Sequence, residues 1–196
     1  GRPAGGPTPR GEVFGELDET RGRIIVFGGN TAAPEMCMPR YEITAEAWAF
    51  HLDCATWEPI TAPGPSTRAR VATTVDTTRE RMIVFAGRQR LCFGSYENYA
   101  DVWAFDFATD AWSEIATTGT GPSPRSSSSI VYDEANDRIV VFGGDTGTDG
   151  LSLVGQGDTF ELDLGTGAWS EITGAGPPAR LYHSAIEMGG VMNLFG

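Results

Sequence analysis

The sequence predicts an all-β protein built from repeated four-stranded antiparallel units, and three recurring features predict it. The first is an apolar run that ends in small residues, with the wording RIIVFGGN at 23–30, RMIVFAGR at 81–88 and RIVVFGGD at 138–145. The second is a Pro- and Gly-rich turn that ends in arginine, and the third is an aromatic residue followed nine positions later by tryptophan. These features return every 50-odd residues, a period typical of repeat architectures.

Each unit begins at the Pro- and Gly-rich turn, whose arginines are Arg10, Arg68, Arg125 and Arg180. A half-buried first strand follows, as in SSSSIVYD at 126–133, and a polar hairpin then leads to the second strand. An acid and, five positions on, an arginine flank this hairpin in the pairs Asp18 and Arg23, Asp76 and Arg81, Asp133 and Arg138. The second strand is continuously apolar, as expected of a strand that is covered on both faces.

A loop of variable wording leads from the second strand to the third, as in DVWAFD at 101–106, and a tight turn leads to the fourth, as in AWSEI at 111–115. The aromatic pairs of these two strands are Trp48 and Trp57, Trp103 and Trp112, Phe160 and Trp169. Local propensity favours a helix for TAEAWAF, which begins at Thr44. The other units indicate a strand at the same place, so we predict a strand there.

These motifs resemble those of the kelch-repeat β-propeller family, and RLYHSAI at 180–186 is similar to the first-strand wording of that family. The resemblance implies an all-β, kelch-type β-propeller of four-stranded antiparallel blades around a central channel. Residues 1–196 would hold about three and a half blades, as repeats 5–62, 63–119, 120–174 and a shortened 175–196. We expect further chain or another subunit to complete the ring, because the blade edges would otherwise be uncovered.

The glycine doublet after the second strand could belong to a phosphate-binding loop. The chain contains no lysine, which excludes a P-loop, and the residues after Gly144 are too rich in Gly and Asp for the helix of a dinucleotide fingerprint. We therefore interpret the doublet as a packing feature. Because Ala86 replaces the first glycine in the second unit, we expect small size to matter at this position more than a positive φ.

The chain is acidic, with a net charge of −12 and a pI near 4.5. This charge argues against a nucleic-acid partner, since phosphate backbones require clustered cations, and it favours a neutral or basic protein partner. No apolar run approaches the ~18 residues of a membrane span.

Two of the three cysteines, Cys37 and Cys92, lie in second-to-third-strand loops of neighbouring units, and such loops share one face of a propeller. One expectation is a Cys37–Cys92 disulfide with Cys54 free, which implies an oxidising extracellular or periplasmic compartment. The alternative is three free thiols.

Three groups of residues have residue types found in chemical sites: a loop with two aspartates, the two histidines and a run of serines. DTGTDG at 145–150 has the spacing of a calcium loop at Asp145 and Asp149, but Gly147 and Gln156 stand where two ligands are required. Kelch proteins that resemble galactose oxidase hold copper with histidine and tyrosine, yet neither His51 nor His183 has a matching ligand set in sequence. We therefore predict that residues 1–196 hold no metal, no cofactor and no catalytic residue.

The serine run Ser126–Ser129 has no identifiable base nearby in sequence, so we expect it to line a water-filled channel.

The long second-to-third-strand loops differ between the units, and binding usually resides in variable loops on a rigid scaffold. The first two loops are rich in arginine, aromatic residues and methionine, which are enriched at interfaces. The predicted binding residues are Arg40, Tyr41, Arg88, Arg90, Tyr96 and Tyr99. The alternative is that each blade only packs its own loop, with the arginines paired to neighbouring carboxylates.

These observations favour a protein-interaction or scaffold module that binds a protein partner through one face. Two alternatives remain: a segment of a secreted kelch enzyme that resembles galactose oxidase, with its catalytic residues outside these residues, and a structural subunit of a large assembly.

Overall fold

The computed structural model describes residues 5–31, 43–91 and 94–196, and their regular structure is β-strand apart from short 3-10 turns such as Glu134–Asn136. The first antiparallel sheet contains, in order, β1 (Phe14–Asp18), β2 (Arg23–Phe27), β3 (Ala47–His51) and β4 (Thr56–Ile60). The second sheet contains β5 (Ala72–Asp76), β6 (Arg81–Phe85), β9 (Val102–Asp106) and β10 (Ala111–Glu114). The third sheet contains β11 (Ser129–Asp133), β12 (Arg138–Phe142), β13 (Thr159–Asp163) and β14 (Trp169–Glu171).

Two hairpins complete the strand inventory of the described residues. One begins a fourth unit and is formed by β15 (Ser184–Met188) and β16 (Val191–Phe195), and the other lies between β6 and β9 and is formed by β7 (Arg88–Arg90) and β8 (Tyr96–Asn98). The four units are called blades 1 to 4 below. The all-β prediction is confirmed, and so is a strand within TAEAWAF, because β3 runs through it.

The repeated acid and arginine close the first hairpin of blades 1, 2 and 3. They are directly opposite in the register of the first two strands, and the arginine Nε donates to the aspartate Oδ2. The distances are 2.9 Å for Asp18 and Arg23, 2.8 Å for Asp76 and Arg81, and 2.8 Å for Asp133 and Arg138. Burial alone would raise the pKa of Asp133, but hydrogen bonds from Asn136 and Arg138 hold it below its ordinary value. The pattern therefore marks charge-assisted hairpin ends.

The core lies between neighbouring blades. Met82 and Val84 of β6 face the cluster shared with blade 1, and Ile83 and Phe85 face the cluster shared with blade 3. All four are fully buried. This two-sided burial explains why the second strands are continuously apolar.

The arginine of the Pro- and Gly-rich turn holds the second and third strands of its own blade. Arg68 is 1% exposed; its Nη1 donates to the Ala86 carbonyl at 3.2 Å, and its two terminal nitrogens bind the Asp101 carboxylate at 2.6 and 3.0 Å. The same arrangement recurs as Arg125 with Gly143 and Asp158, and as Arg10 with Gly28 and Glu46. Burial would raise the pKa of Asp101, but the Arg68 guanidinium lowers it.

The small-residue pair after each second strand connects that blade to the next one. The second glycine donates its N–H to the carbonyl of the next turn arginine, at 3.0 Å for Gly29 to Arg68, 3.1 Å for Gly87 to Arg125 and 2.9 Å for Gly144 to Arg180. The doublet is therefore part of the blade-to-blade architecture, as the sequence predicted.

The expectation that size outweighs conformation at Ala86 is wrong. Ala86 has a φ of 58°, and the equivalent residues Gly28 and Gly143 have φ values of 70° and 65°. All three positions are left-handed because the chain must turn its next N–H toward the neighbouring blade. A Cβ on Gly28 would also lie 2.3 Å from the Arg68 carbonyl oxygen, so both conformation and space favour glycine there.

The fourth-strand tryptophans pack between blades to different extents. Trp112 lies 5.0 Å from Phe27 of blade 1 and Trp169 lies 5.8 Å from Phe85 of blade 2, measured between ring centroids. Trp169 is buried, whereas Trp57 and Trp112 are half-buried. Of these three tryptophans, Trp169 is therefore the most completely enclosed between two blades.

The first strands β1, β5, β11 and β15 lie side by side, and residues from all four line a cavity of about 210 Å³. Among the described residues, no helix has the length and apolar character to cross a membrane.

Candidate functional site

The two ends of the blades differ. One end carries the second-to-third-strand connections and the turns that enter the first strands; we call it the loop face. The other end carries the Asp–Arg hairpins and is called the hairpin face. Loop connections of different wording meet at the loop face, whereas the hairpin face repeats.

Arg88 sits at the base of the β7–β8 hairpin and is only 5% exposed. Its guanidinium carbon lies 3.7 Å from the centroid of the Tyr96 ring, and its Nη1 lies 3.8 Å from Oδ2 of the fully buried Asp145. The Arg88 Nε has no hydrogen-bond partner among the described residues. Burial, followed by the charge of Arg70, lowers the pKa of Arg88. Asp145 of blade 3 thus supplies a carboxylate for a predicted binding arginine of blade 2.

The structure places the other predicted binding residues in two groups. Arg90 and Tyr96 are cross-strand partners in the β7–β8 hairpin, and the Arg90 guanidinium lies 5.8 Å from the Tyr96 ring centroid. Tyr99 stacks instead on Arg68, with 4.1 Å between the guanidinium carbon and the ring centroid. The predicted residues Arg40 and Tyr41 lie outside the described residues.

Four residues outside the predicted binding set lie in the turns that enter the first strands at the loop face, and they are Glu12, Arg70, Ser127 and Tyr182. Each follows its turn arginine by two positions, and each is left-handed, with φ values of 56°, 56°, 57° and 60° for Glu12, Arg70, Ser127 and Tyr182. Their backbones are linked across the blades: Arg70 N–H donates to Glu12, Ser127 N–H to Arg70, and Tyr182 N–H to Ser127. Non-glycine residues in this region are uncommon, and such strain is concentrated at functional positions.

Arg70 of blade 2 contacts residues of blades 1 and 4. Its Nε donates to the Glu12 carboxylate at 2.7 Å, another of its nitrogens donates to the Tyr182 hydroxyl, and its guanidinium carbon lies 4.8 Å from the Tyr182 ring centroid. The sequence did contain a signal for these residues. Their position has four different side chains inside a turn that otherwise repeats, which is the pattern expected of a variable residue on a fixed scaffold.

The calcium-like loop uses its carboxylates internally. Asp145 Oδ1 accepts the N–H groups of Gly147 at 2.9 Å and Val154 at 2.8 Å. Asp149 Oδ1 accepts the N–H of Leu151 at 2.9 Å and that of Ser152 at 2.7 Å. These bonds shape the loop, and they hold the pKa of Asp149 below its ordinary value.

The structure places a histidine beside the serine run, although the sequence identified none. His183 Nε2 lies 2.7 Å from the Ser129 Oγ, and His183 is 7% exposed. Burial, followed by the charge of Arg180, lowers the pKa of His183. Its Nδ1 has no hydrogen-bond partner among the described residues, so no carboxylate orients the ring as in a catalytic triad. The pair connects blade 3 to blade 4.

The serine run lines the cavity between the first strands only in part. Ser128 and Ser129 line the cavity of about 210 Å³, whereas all four serines are at most 9% exposed. Ser128 donates to the Gly143 carbonyl at 3.0 Å.

The remaining candidate ligands do not converge. His51 lies on the hairpin face, 3.0 Å from Glu58, and Cys54 is exposed and free, as predicted. Within residues 5–31, 43–91 and 94–196, no group of three His, Cys, Asp or Glu side chains could hold a metal ion. Cys37 and Cys92 lie outside the described residues, so the disulfide stays a prediction.

Blades joined by glycine doublets, buried turn arginines and fourth-strand tryptophans define a kelch-type β-propeller domain. The chain belongs to the kelch-repeat family, because the model of the KLHDC2/KLHL20/DRC7 Kelch-repeats domain matches residues 3–196. The solved structure called "Structure of YjhT" is similar to this chain, with a TM-score of 0.73 and 16% sequence identity. The match covers 95% of this chain and 58% of the chain in that structure, and at this identity it supports the fold alone.

Three relatives are similar in sequence. Acyl-CoA-binding domain-containing protein 5 of Arabidopsis thaliana is 26% identical over 85% of this chain, and Multiple epidermal growth factor-like domains protein 8 of Mus musculus is 28% identical over 97%. Host cell factor 1 of Homo sapiens is 26% identical over 89%. The chain spans 24%, 7% and 9% of the lengths of these three relatives. Kelch domains generally bind proteins, so membership of the family supports a protein-interaction role.

Proposed function

We propose that this kelch domain binds a partner protein through its loop face. The proposed binding surface contains the predicted residues Arg40, Tyr41, Arg88, Arg90, Tyr96 and Tyr99. The observation that carries the proposal is the Arg88–Tyr96–Arg90 stack, because arginine and tyrosine are the side chains most enriched at binding hot spots.

The contrast between the two faces supports this choice. On the hairpin face the same Asp–Arg pair closes blades 1, 2 and 3, and its role is explained by folding. On the loop face, the β7–β8 hairpin of blade 2 and the hydrogen-bonded loop of blade 3 replace any common pattern. Structural differences of this kind are not required by the fold, and they suit recognition of a partner.

Arg88 and Tyr96 have different roles in the proposed surface. Arg88 is buried at the base of the hairpin, and its guanidinium packs against the Tyr96 ring. Tyr96 and Arg90 are half-buried and reach the surface. Tyr99 covers the buried Arg68 and contributes the next part of the surface. A rigid aromatic residue held by a buried cation loses little conformational entropy on binding.

The test compares the proteins that three immobilised forms of the domain retain from an extract of the source cells, measured by quantitative mass spectrometry. The forms are the wild type, the loop-face variant Arg90→Ala/Tyr96→Ala, and a hairpin-face control, Thr20→Ala/Glu134→Ala, in which both residues are exposed. A protein retained by the wild type and the control, but released by the loop-face variant, supports the proposal. Equal retention by all three forms contradicts it.

A further inference from the structure

An exposed apolar patch lies on the loop face beside the β7–β8 hairpin. It consists of Leu91, Leu151, Leu153 and Val154, which are 45%, 93%, 61% and 46% exposed. Three of the four belong to the loop that follows β12, within four consecutive residues. Single exposed leucines are common on protein surfaces, but a concentration of them beside a candidate site marks an interaction surface.

The loop that carries Leu151, Leu153 and Val154 is fixed by its own hydrogen bonds. The Asp149 carboxylate accepts the N–H groups of Leu151 and Ser152 and also the Ser152 hydroxyl, the last at 2.9 Å. Val154 donates its N–H to Asp145 at 2.8 Å and accepts the N–H of Thr146 at 3.1 Å. The exposed leucines are therefore presented in a defined geometry, and binding them requires little ordering of the loop.

The two loops of the patch are in direct contact. Tyr96 donates its N–H to the Thr148 carbonyl at 2.7 Å, and a Cβ on Gly150 would lie 2.2 Å from the Gly94 carbonyl oxygen. Leu91 closes the same hairpin, since its N–H donates to Ser95 at 2.9 Å. The apolar patch thus continues the surface that contains Tyr96.

The charges around the patch define what can cover it. Residues 145–158 contain three aspartates and no basic residue, whereas Arg90 precedes Leu91 on the neighbouring hairpin and lies 5.8 Å from the Tyr96 ring centroid. Asp145 is buried and Asp158 is bound by Arg125, so Asp149 is the exposed carboxylate of this loop, and Glu97 is exposed on the neighbouring hairpin. With a net charge of −12 on the chain, an anionic lipid surface would be repelled.

We infer that the apolar patch docks an amphipathic segment of the partner protein that has an apolar face and basic margins. The inference rests on the proposed function and adds the chemistry of the partner. Leucines of the patch would pack against the apolar face of the segment, while Asp149 and Glu97 would meet lysine or arginine at its edges.

The test uses a fluorescent amphipathic peptide made of leucine and lysine as the probe, with a leucine and glutamate peptide of the same pattern for comparison. Binding is measured by fluorescence anisotropy to the wild type, to Leu151→Ser/Leu153→Ser and to the control Leu52→Ser/Met188→Ser, whose leucine and methionine are exposed on the hairpin face. Melting curves establish that all three forms are folded.

We expect the patch variant to bind the lysine peptide about ten-fold more weakly than the wild type, because it lacks two exposed leucines that the peptide would cover, while the control binds like the wild type. Equal affinities of the two variants would overturn the inference, and so would equal binding of the lysine and glutamate peptides. Binding of neutral phosphatidylcholine vesicles that is lost in the patch variant would assign the patch to lipid and also overturn it. If the patch variant retains every extract protein that Arg90→Ala/Tyr96→Ala releases, the inference fails while the proposed function stands.

Discussion

The Arg88 guanidinium carbon lies 3.7 Å from the centroid of the Tyr96 ring, although Arg88 is almost completely buried. Arg88 and Tyr96 come from the two strands of one hairpin, and Oδ2 of Asp145 of the next blade lies 3.8 Å from the Arg88 Nη1. A buried cation in contact with an aromatic ring and near a buried carboxylate supports the hairpin, whereas Arg90 of the same hairpin is half-buried. Stability and binding can therefore be separated by substitution.

Arg88→Ala is expected to lower the free energy of unfolding by about 2–4 kcal/mol, because it leaves the buried Asp145 carboxylate without its cation. Urea unfolding monitored by tryptophan fluorescence measures the change. Arg90→Ala is the matched comparison, and we expect it to lower stability by less than about 1 kcal/mol, since Arg90 is only half-buried. A smaller loss for Arg88→Ala than for Arg90→Ala would contradict the supporting role.

The left-handed position after the second strand is glycine in blade 1 and alanine in blade 2, so exchanging the two residue types tests its role. Gly28→Ala is expected to destabilise the domain by more than about 1 kcal/mol, because the new Cβ would lie 2.3 Å from the Arg68 carbonyl oxygen. Ala86→Gly removes a buried methyl group but relieves a φ of 58°, so we expect a change within about 1 kcal/mol. Thermal unfolding of both variants checks this; a larger loss for Ala86→Gly than for Gly28→Ala would show that the blades do not share this geometry.

The parts of the fold that the sequence predicted are those that repeat. The cross-strand pair of Asp76 and Arg81 has a fixed separation in three blades, and the apolar run of β6 reflects its burial on both faces. Patterns of this kind are local, so composition and spacing are sufficient to find them.

The contacts that the sequence did not reveal join residues across loops or blades. Arg68 binds Asp101, 33 positions away, and the loop between them differs from that of the next blade. Ser129 and His183 are 54 positions apart and belong to different blades. The burial of Arg88 depends on Asp145, which enters from the next blade. Spacing cannot report the contacts between blades. The separation of 33 positions that Arg68 and Asp101 share with Arg125 and Asp158 could have been noticed, and so could the variable position of Arg70 within a repeated turn.

The buried turn arginines predict a strong preference for arginine over lysine. Arg125 binds both oxygens of Asp158, at 2.5 and 2.8 Å, and the Gly143 carbonyl at 3.0 Å, so a lysine ammonium cannot replace its planar fork. We expect Arg125→Lys to cost about 2–4 kcal/mol in the free energy of unfolding.

A double-mutant cycle with Asp158→Asn separates the ion pair from the other contacts of Arg125. The two losses should be less than additive, because both substitutions disrupt the same interaction. Strict additivity, measured by denaturant unfolding of the single and double variants, would show that Arg125 acts independently of Asp158.

The contact of His183 with Ser129 predicts a pH dependence of stability near neutrality. Burial lowers the pKa of His183 in the folded domain, so the unfolded chain binds the proton more tightly. Stability is then complete above the ordinary histidine pKa of about 6.5, and it declines as the pH falls from that value through the lowered folded pKa.

We therefore expect the free energy of unfolding to decrease between about pH 7 and pH 5, with a slope of at most about 1.4 kcal/mol per pH unit for this single proton. His183→Asn keeps a polar side chain that does not titrate, so its curve should be flatter over the same interval although its stability at neutral pH is lower. Urea unfolding at a series of pH values measures both curves. If the two curves run parallel, His183 is not the group responsible, and the burial of its ring between Phe142 and Ser129 does not control the proton affinity.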